Sequence, residues 1–305
     1  MDYSKVSVVV LNWNAKDILK QCLESLHRSA HPLHKIIVVD NASIDGSPEM
    51  VITEFKEVLL IRNDRNLGAP EGRNIGIKKA IEDEIDYVYT LDNDLIIEPE
   101  TISYLVTLMD KDRTIGCAGS IIYYYDKKNL IFNAGHYVNW THNLVKSRGL
   151  NQRDTGQLEE IAAVDYVGTG AMLTRRSIYE EVGLLDPIFI GYGYEDTDFG
   201  LRVNHTGKRV VCYTKSKVWH QPFTGVGKYS FKKKYLEARN AIIFMRKYGN
   251  SRNWTKFLFF AIAGLFYASI REGLRGNIMG VVGKAKGLYD GLIGKEDFAH
   301  RLLKQ

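Results

Sequence analysis

The chain has 305 residues, of which 45% are hydrophobic and 25% charged, and its formal net charge is +5. Those proportions exclude a disordered or collagen-like chain, and the length suits one large domain or a domain with an extension. A charge this mild makes no case for nucleic acid; its placement matters more. Cys22, Cys117 and Cys212 are the only cysteines, odd in number and without C-x-x-C spacing. A disulfide framework or zinc cage is therefore not expected, and each cysteine reads as a small buried hydrophobe in a reducing compartment. Met1-Asp2-Tyr3-Ser4-Lys5 runs straight into an apolar stretch. No secretory signal is expected, so the location reads as cytoplasmic, and triplets such as Asn139-Trp140-Thr141 carry no glycosylation meaning.

The first third alternates strand and helix signals. Val6 to Leu11 is a continuous apolar run, as a strand buried on both faces requires. Ile18, Leu19, Cys22, Leu23 and Leu26 follow at helical spacing. Ile36 to Val39 is the next strand, ending in Asp40-Asn41, and Ser47-Pro48 reads as an N-cap followed by proline at the first helical position. Val58 to Ile61 is a third strand, Glu71 to Ile81 a helix, Tyr87 to Leu91 a fourth strand, and Glu98-Pro99 opens a helix to about Met109. Such alternation implies right-handed crossovers and a mainly parallel sheet. In open sheets of this kind ligands bind beyond the carboxyl ends of the strands, where Asn12, Asp40, Asn63 and Asp92 all fall.

The middle, Ile115 to Tyr213, is mixed. Val164 to Leu173 reads as a strand through Gly168-Thr169-Gly170, Glu195 to Asn204 as a short helix, and Val210 to Tyr213 and Val218-Trp219 as two short strands. Beyond about Thr224, Lys228, Lys232, Lys233, Lys234, Arg239, Arg246, Lys247, Arg252 and Lys256 face only Glu237. Phe257 to Ile270 is then almost wholly apolar, shorter than the roughly 18 to 20 residues that span a bilayer. A buried core helix and an aromatic, base-flanked helix lying in a membrane interface are its two readings.

Asp92-Asn93-Asp94 carries the chemistry: two carboxylates flank one residue just after a buried strand. Hard divalent cations take oxygen ligands of this kind and share them with substrate phosphates; the alternative is a solvated turn. The segment Asn66 to Gly76 is neither a P-loop nor a dinucleotide fingerprint. Gly72 and Gly76 leave one helix face bare for a strand or a ligand, and Arg73 offers a phosphate partner. Gly191-Tyr192-Gly193-Tyr194 precedes Glu195, Asp196 and Asp198 in the first turn of a helix, more acids than a cap needs. One of them can serve as general base for a hydroxyl. His220 is by itself more simply structural, unless the fold returns it to Asp94.

As an ordered set these residues resemble the family 2 glycosyltransferases of the GT-A fold, nearest the rhamnosyltransferase-like members that build cell-surface glycans. The likeness covers about residues 5 to 245. It runs through Val8 to Asn14, Val38 to Ser43, Asn66 to Gly76, Leu91 to Asp94, Gly168 to Leu173, Gly183 to Asp186, Glu195-Asp196-x-Asp198, His220 and Tyr235-x-x-x-Arg239-Asn240. It implies an α/β GT-A (Rossmann-like) domain over residues 1–225, a mixed, mainly parallel sheet flanked by helices. The nucleotide-sugar half would be about 1–115 and the acceptor half about 116–225, followed by a basic, apolar helical extension over 226–305. It implies a donor site of Asn12, Asp40, Asn41, Asn66, Gly68, Arg73, Asn74, Asp92, Asn93, Gly170 and Arg239, with Asp40 on the nucleobase. Tyr194, Glu195 and Trp219 would meet the acceptor; Asp94 and His220, with Asp92, would hold Mn²⁺ or Mg²⁺; Asp196 would be the base of an inverting transfer. The implied partners are a dTDP-, UDP- or GDP-linked sugar and a glycan or lipid-linked acceptor. Peripheral contact with the inner face of the cell membrane and a homo-oligomer are further expectations; nucleic acid is not. Two rivals stand beside this reading: a nucleotidyltransferase acting on a sugar phosphate, and a non-catalytic nucleotide-sugar binder.

Overall fold

The computed structural model describes residues 3–140, 144–191, 193–221, 230–275, 278–295, 298, 299 and 302. Thr141, Tyr192, Lys228 and the boundary drawn at 225 lie outside the described residues. The chain order is β1 (Val6–Asn12), α1 (Lys16–His27), β2 (Leu33–Asp40), α2 (Ser47–Glu54), β3 (Leu59–Arg62), α3 (Ala69–Ile81), β4 (Tyr87–Asp92), β5 (Leu95–Ile97), α4 (Thr101–Lys111), β6 (Ile115–Tyr124) and β7 (Lys127–Asn133). It continues with β8 (His136–Val138), β9 (Val145–Ser147), β10 (Ile161–Val164), β11 (Ala171–Arg175), α5 (Arg176–Val182), α6 (Glu195–His205), β12 (Arg209–His220), α7 (Phe231–Tyr248), α8 (Ser251–Leu274) and α9 (Ile278–Ile293). These form two compact units: Met1–Tyr137 with Ser147–Leu185 and Phe199–Pro222, and Val138–Lys146 with Asp186–Asp198 and Phe223–Gln305.

The first unit is built on a sheet of order β10-β12-β6-β11-β4-β1-β2-β3. β3, β2, β1 and β4 are all parallel, as the strand–helix alternation requires. Alternate residues of β1 enter opposite cores, Val8 and Val10 with α1 and α4 residues, Val9 with Ile77 of α3. That double burial is why the strand reads as an unbroken apolar run. Gly72 and Gly76 resolve as packing glycines: a Cβ would fall 2.6 Å from Leu11 Cδ1 at the first and 2.4 Å from Val9 Cγ1 at the second. The bare face of α3 lies on the sheet.

Several boundaries differ from the sequence reading. Val164 to Leu173 is two strands: β10 pairs with β12, and β11 lies antiparallel between β4 and β6. The chain turns at Gly168, whose carbonyl accepts from Ala171 N. Conversely, Val210 to Trp219 is one strand, β12, with an irregularity between Tyr213 and Lys217. The N-cap of α2 is Gly46, at φ 81°, and Asp45 Oδ1 accepts from Ser47 N. α4 begins at Thr101 rather than at Glu98-Pro99.

In the second unit α9 lies along α7 through glycines spaced four apart. A Cβ on Gly283 would fall 2.5 Å from Phe231 O, on Gly287 2.2 Å from Tyr235 O, and on Gly291 2.8 Å from Ile242 Cβ. The two helices therefore run parallel, backbone close to backbone. α8 is 24 residues, longer than the apolar run that announces it, and by length and composition alone it is long and apolar enough to cross a membrane. It is not a buried core helix: among the described residues of α8 only Phe257, Ala261, Ala268 and Glu272 are buried. The glycine contact makes a direct expectation. Gly287→Ala should destabilise the protein by about 1–3 kcal/mol, because the added methyl meets backbone rather than a mobile side chain. Gly273→Ala, where nothing lies within 4 Å of the new methyl, should be neutral or gain up to about 1 kcal/mol of helix propensity. Thermal unfolding of the two variants beside the parent checks the contrast.

Candidate functional site

In the first unit, side chains at the carboxyl ends of β1, β2 and β4 join into one network. Asn12 Nδ2 donates to Asp40 Oδ1 (3.0 Å) and to Ser43 Oγ (3.2 Å), and Ser43 N donates to Asp40 Oδ2 (2.9 Å). Both oxygens of the buried Asp40 carboxylate thus organise the β1 and β2 ends, with Ala42 held at φ 61° between them. Asn93 Nδ2 reaches back to Asn12 Oδ1 at 2.7 Å, tying the Asp92–Asp94 turn to the same network. A second network joins the next loop. Asn63 Nδ2 donates to Asn41 Oδ1 (2.8 Å), Asn41 Nδ2 to Gly68 O (3.2 Å) and Asn66 Oδ1 (3.4 Å), and Gly68 takes φ 83° to open α3.

Arg73, buried on α3, pairs with Asp92 Oδ1, and Gly170 closes on the same carboxylate from β11's side: a Cβ there would lie 2.3 Å from Asp92 Oδ2. Gly170 O also accepts from Asp92 N at 2.8 Å. Asn74, expected at the donor, instead spends its amide on the fold, donating to Leu185 O (2.8 Å) and accepting from Leu185 N (3.0 Å).

The fold does return His220 to Asp94. β5 leaves the Asp92–Asp94 turn and pairs antiparallel with the end of β12, setting His220 opposite Leu95, and Gln221 N donates to Asp94 O at 2.8 Å. His220 Nε2 then stands 3.3 Å from Asp94 Oδ2, while Asp94 Oδ1 is buried with no hydrogen-bond partner among the described residues. A carboxylate oxygen so placed lacks the partner its burial demands. Together with an imidazole nitrogen it fits a divalent cation whose remaining ligands are water or phosphate oxygens. Among the described residues no three His, Cys, Asp or Glu side chains converge on one point. Phe132 stacks on the His220 ring, centroids 4.8 Å apart and planes 8° apart, and fixes its orientation. Trp219 stacks on Tyr123 at 5.7 Å and donates Nε1 to Lys128 O. Phe132 was not legible in the sequence, because only the β6–β7 pairing brings it to His220.

In the second unit, the described residues of the segment before α6 include three left-handed ones, Gly191 (82°), Gly193 (79°) and Tyr194 (76°). The first two explain the glycines; Tyr194 holds a conformation costly for a bulky side chain. Arg239 and Asn240 of α7 secure this segment by its backbone. Arg239 Nη1 donates to Ile188 O (2.9 Å), and Asn240 Nδ2 to Ile190 O (3.0 Å) and Gly193 O (3.3 Å). The three acids that follow differ. Asp198 is buried and bound by Lys247 (2.5 Å) and by Tyr248 Oη (2.7 Å), Glu195 is buried, and Asp196 alone is partly exposed.

A parallel strand block with its polar ends gathered beside an antiparallel strand and an Asp–His pair makes an open α/β fold with a polar site at its strand ends. The family model for glycosyl transferase family 2 matches residues 7–183, and the chain belongs to that family. It is similar to the low-salt glycan biosynthesis hexosyltransferase Agl10 of Haloferax volcanii, at 23% identity over 240 residues, 78% of this chain and 74% of that one. The mannosyltransferase PcManGT from Pyrobaculum calidifontis, solved with GDP-Man and Mn²⁺, shares the fold at a TM-score of 0.60 and 15% identity, over 97% of this chain and 89% of that one. GalNAc-T7, solved with UDP, GalNAc and Mn²⁺, does so at 0.60 and 19% identity, over 84% of this chain; the chain spans 54% of it. The fold is GT-A, with helices at the C-terminus, and the chain is a glycosyltransferase.

Two expectations follow from the site. Gly170→Ala should push the Asp92 carboxylate off its seat against Arg73 while leaving the β4–β11 ladder in place. The check is a lowered melting temperature, because the buried Arg73 loses its carboxylate, at an unchanged far-UV circular dichroism spectrum. The second concerns Asp94, whose pKa burial and the neighbouring Asp92 charge raise from 3.8 to about 6, His220 opposing them. The folded protein then holds this proton more tightly than the unfolded chain. Its contribution to stability is full below about pH 4 and falls as pH rises toward 6. Asp94→Asn cannot ionise and should lack that decline. Denaturant unfolding of metal-free parent and variant at pH 4 and pH 7 measures it, and equal losses in both would refute the assignment.

Proposed function

We propose that the chain is an inverting, divalent-metal-assisted glycosyltransferase. In this reading it moves a hexose, rhamnose among the candidates, from a dTDP-, UDP- or GDP-linked donor to a hydroxyl of a glycan or lipid-linked glycan. The observation that carries the reading is the meeting of Asp94 and His220, with a buried carboxylate oxygen that has no hydrogen-bond partner among the described residues, beside the strand ends in a family 2 chain. Two structural neighbours solved with nucleotides or nucleotide sugars and Mn²⁺ support the donor class and the metal.

Asn12, Asp40, Asn41, Asn66 and Gly68 frame the nucleotide. Arg73 and Gly170 hold Asp92 toward the ribose and diphosphate, with Asn93 fixing the turn. Asp94 and His220 would hold Mn²⁺ or Mg²⁺, which when bound supplies positive charge to the departing diphosphate. Asp196 takes the proton from the acceptor hydroxyl as its oxygen attacks the anomeric carbon opposite the diphosphate, inverting the configuration. Its partial exposure, against the burial of Glu195 and Asp198, supports its choice as base. Tyr194, Glu195 and Trp219 would border the acceptor. Arg239 acts through the segment before α6, with a direct contact to the donor phosphates as the alternative. The protein would work in the cytoplasm, peripheral at the inner face of the cell membrane, in polysaccharide biosynthesis.

The test is a thermal-shift panel of nucleotide sugars with Mn²⁺, since a ligand of the native state raises its melting temperature, followed by transfer with the best donor. Asp196→Asn should keep donor binding and lose at least about 100-fold in transfer. Transfer near the parent rate removes Asp196 as base, full activity in excess EDTA with no retained metal removes the metal, and pyrophosphate released from a nucleoside triphosphate and a sugar phosphate favours the nucleotidyltransferase instead.

A further inference from the structure

α8 is apolar on two opposite faces, and packing within the second unit uses only one of them. Phe257, Ala261, Ala268 and Glu272 are buried, and Gly264, between them in sequence, has its Cβ position 3.4 Å from Lys284 Nζ of α9. Their spacing of three and four puts them on one side of the helix. The opposite side presents Phe259, Ile262, Phe266 and Ile270, exposed by 67, 68, 70 and 52%. α9 repeats the arrangement, with its glycines against α7 and Ile278, Val282, Tyr289 and Ile293 exposed on the other side. An apolar surface this extended marks a contact.

Charge selects the partner. Residues 226–305 carry sixteen Lys and Arg against five Asp and Glu, whereas the remainder of the chain carries more acids than bases. Arg252 and Lys256 precede the apolar stretch of α8, and Arg271 and Arg275, both paired with Glu272, follow it. Two copies of α8 laid together, in either direction, would set base against base. An anionic surface with an apolar interior satisfies both features.

Length permits α8 to cross a bilayer, at about 36 Å for 24 residues. Its neighbours do not. α8 returns from the end of α7 to the start of α9, and the parallel α7 and α9 carry Lys234, Glu237 and Arg239, and Lys284, Lys286 and Asp290, along their lengths. A crossing would drag those charges into hydrocarbon. We infer that α8, with the exposed side of α9, lies in the plane of an anionic bilayer. Phe259, Ile262, Phe266 and Ile270 sit in the acyl boundary and the flanking arginines and lysines at lipid phosphates. This deepens the membrane part of the proposed function and rests on that part alone, because lipid binding is read without turnover.

Flotation of the full chain tests it, on vesicles of phosphatidylcholine alone and of phosphatidylcholine with phosphatidylglycerol. The protein should bind only the anionic vesicles and leave them in high salt or carbonate. Ile262→Glu with Phe266→Glu should weaken binding at least ten-fold, with thermal unfolding unchanged. Arg252→Glu with Lys256→Glu should weaken it without touching the apolar face. The inference falls if the parent does not float, if the Ile262/Phe266 variant floats like the parent, or if the parent resists carbonate as a spanning helix does. It falls equally if light scattering finds a parent dimer that the Ile262/Phe266 variant dissociates.

Discussion

A strand buried on both faces has little room for a carboxylate or amide side chain except where it leaves the sheet. β1, β4 and the second half of β2 are almost wholly buried, and Asn12, Asp40 and Asp92 stand at their ends. Parallel pairing brings those ends to one edge, with Asn12 in register with Asp40 and Leu11 with Asp92. Everything polar in the first unit's site is built from that edge outward. An Asn–Asp–Ser cluster at the first two strands becomes the anchor for the third through a single Asn12–Asn93 hydrogen bond.

The Asp92–Asp94 turn illustrates how burial divides labour between like groups. Asp92 is matched by Arg73 and crowded by Gly170, so its charge is satisfied inside the protein. Asp94 has His220 at 3.3 Å and one oxygen without a hydrogen-bond partner among the described residues, and burial and the Asp92 charge raise its pKa to about 6 against the pull of His220. Two carboxylates two residues apart thus differ in what they lack. A group with unmet demand is the one a cation can satisfy; a group already paired is better suited to hold geometry.

What the sequence made legible follows from how local each signal is. The strand–helix alternation and the strand-end residues depend on periodicities of a few residues, and they survive in the structure with small shifts at α2 and α4. The antiparallel half did not read clearly. β11 crosses between β4 and β6, and β12 bends past an irregularity, both set by partners far away in the chain. His220 was ambiguous for the same reason, because its value depends on β5 pairing with β12. The Arg239-Asn240 pair was visible as a motif, but its bonds go to main-chain carbonyls of residues 188–193, and main-chain acceptors leave no mark on a sequence.

The C-terminal helices show why hydropathy alone left two readings open. Phe257 to Ile270 showed no single apolar stripe, which argued neither for a core helix nor for an amphipathic one. The structure resolves this by giving the two faces different partners. The glycines of α9 draw α7 so close that backbone meets backbone, and α8 then contributes only a narrow line of Phe257, Ala261 and Ala268 inward. Had α8 carried polar residues at 259, 262, 266 and 270, the same packing would have been available with less apolar surface in water. Packing within this unit therefore does not account for those four side chains, and a surface outside it does.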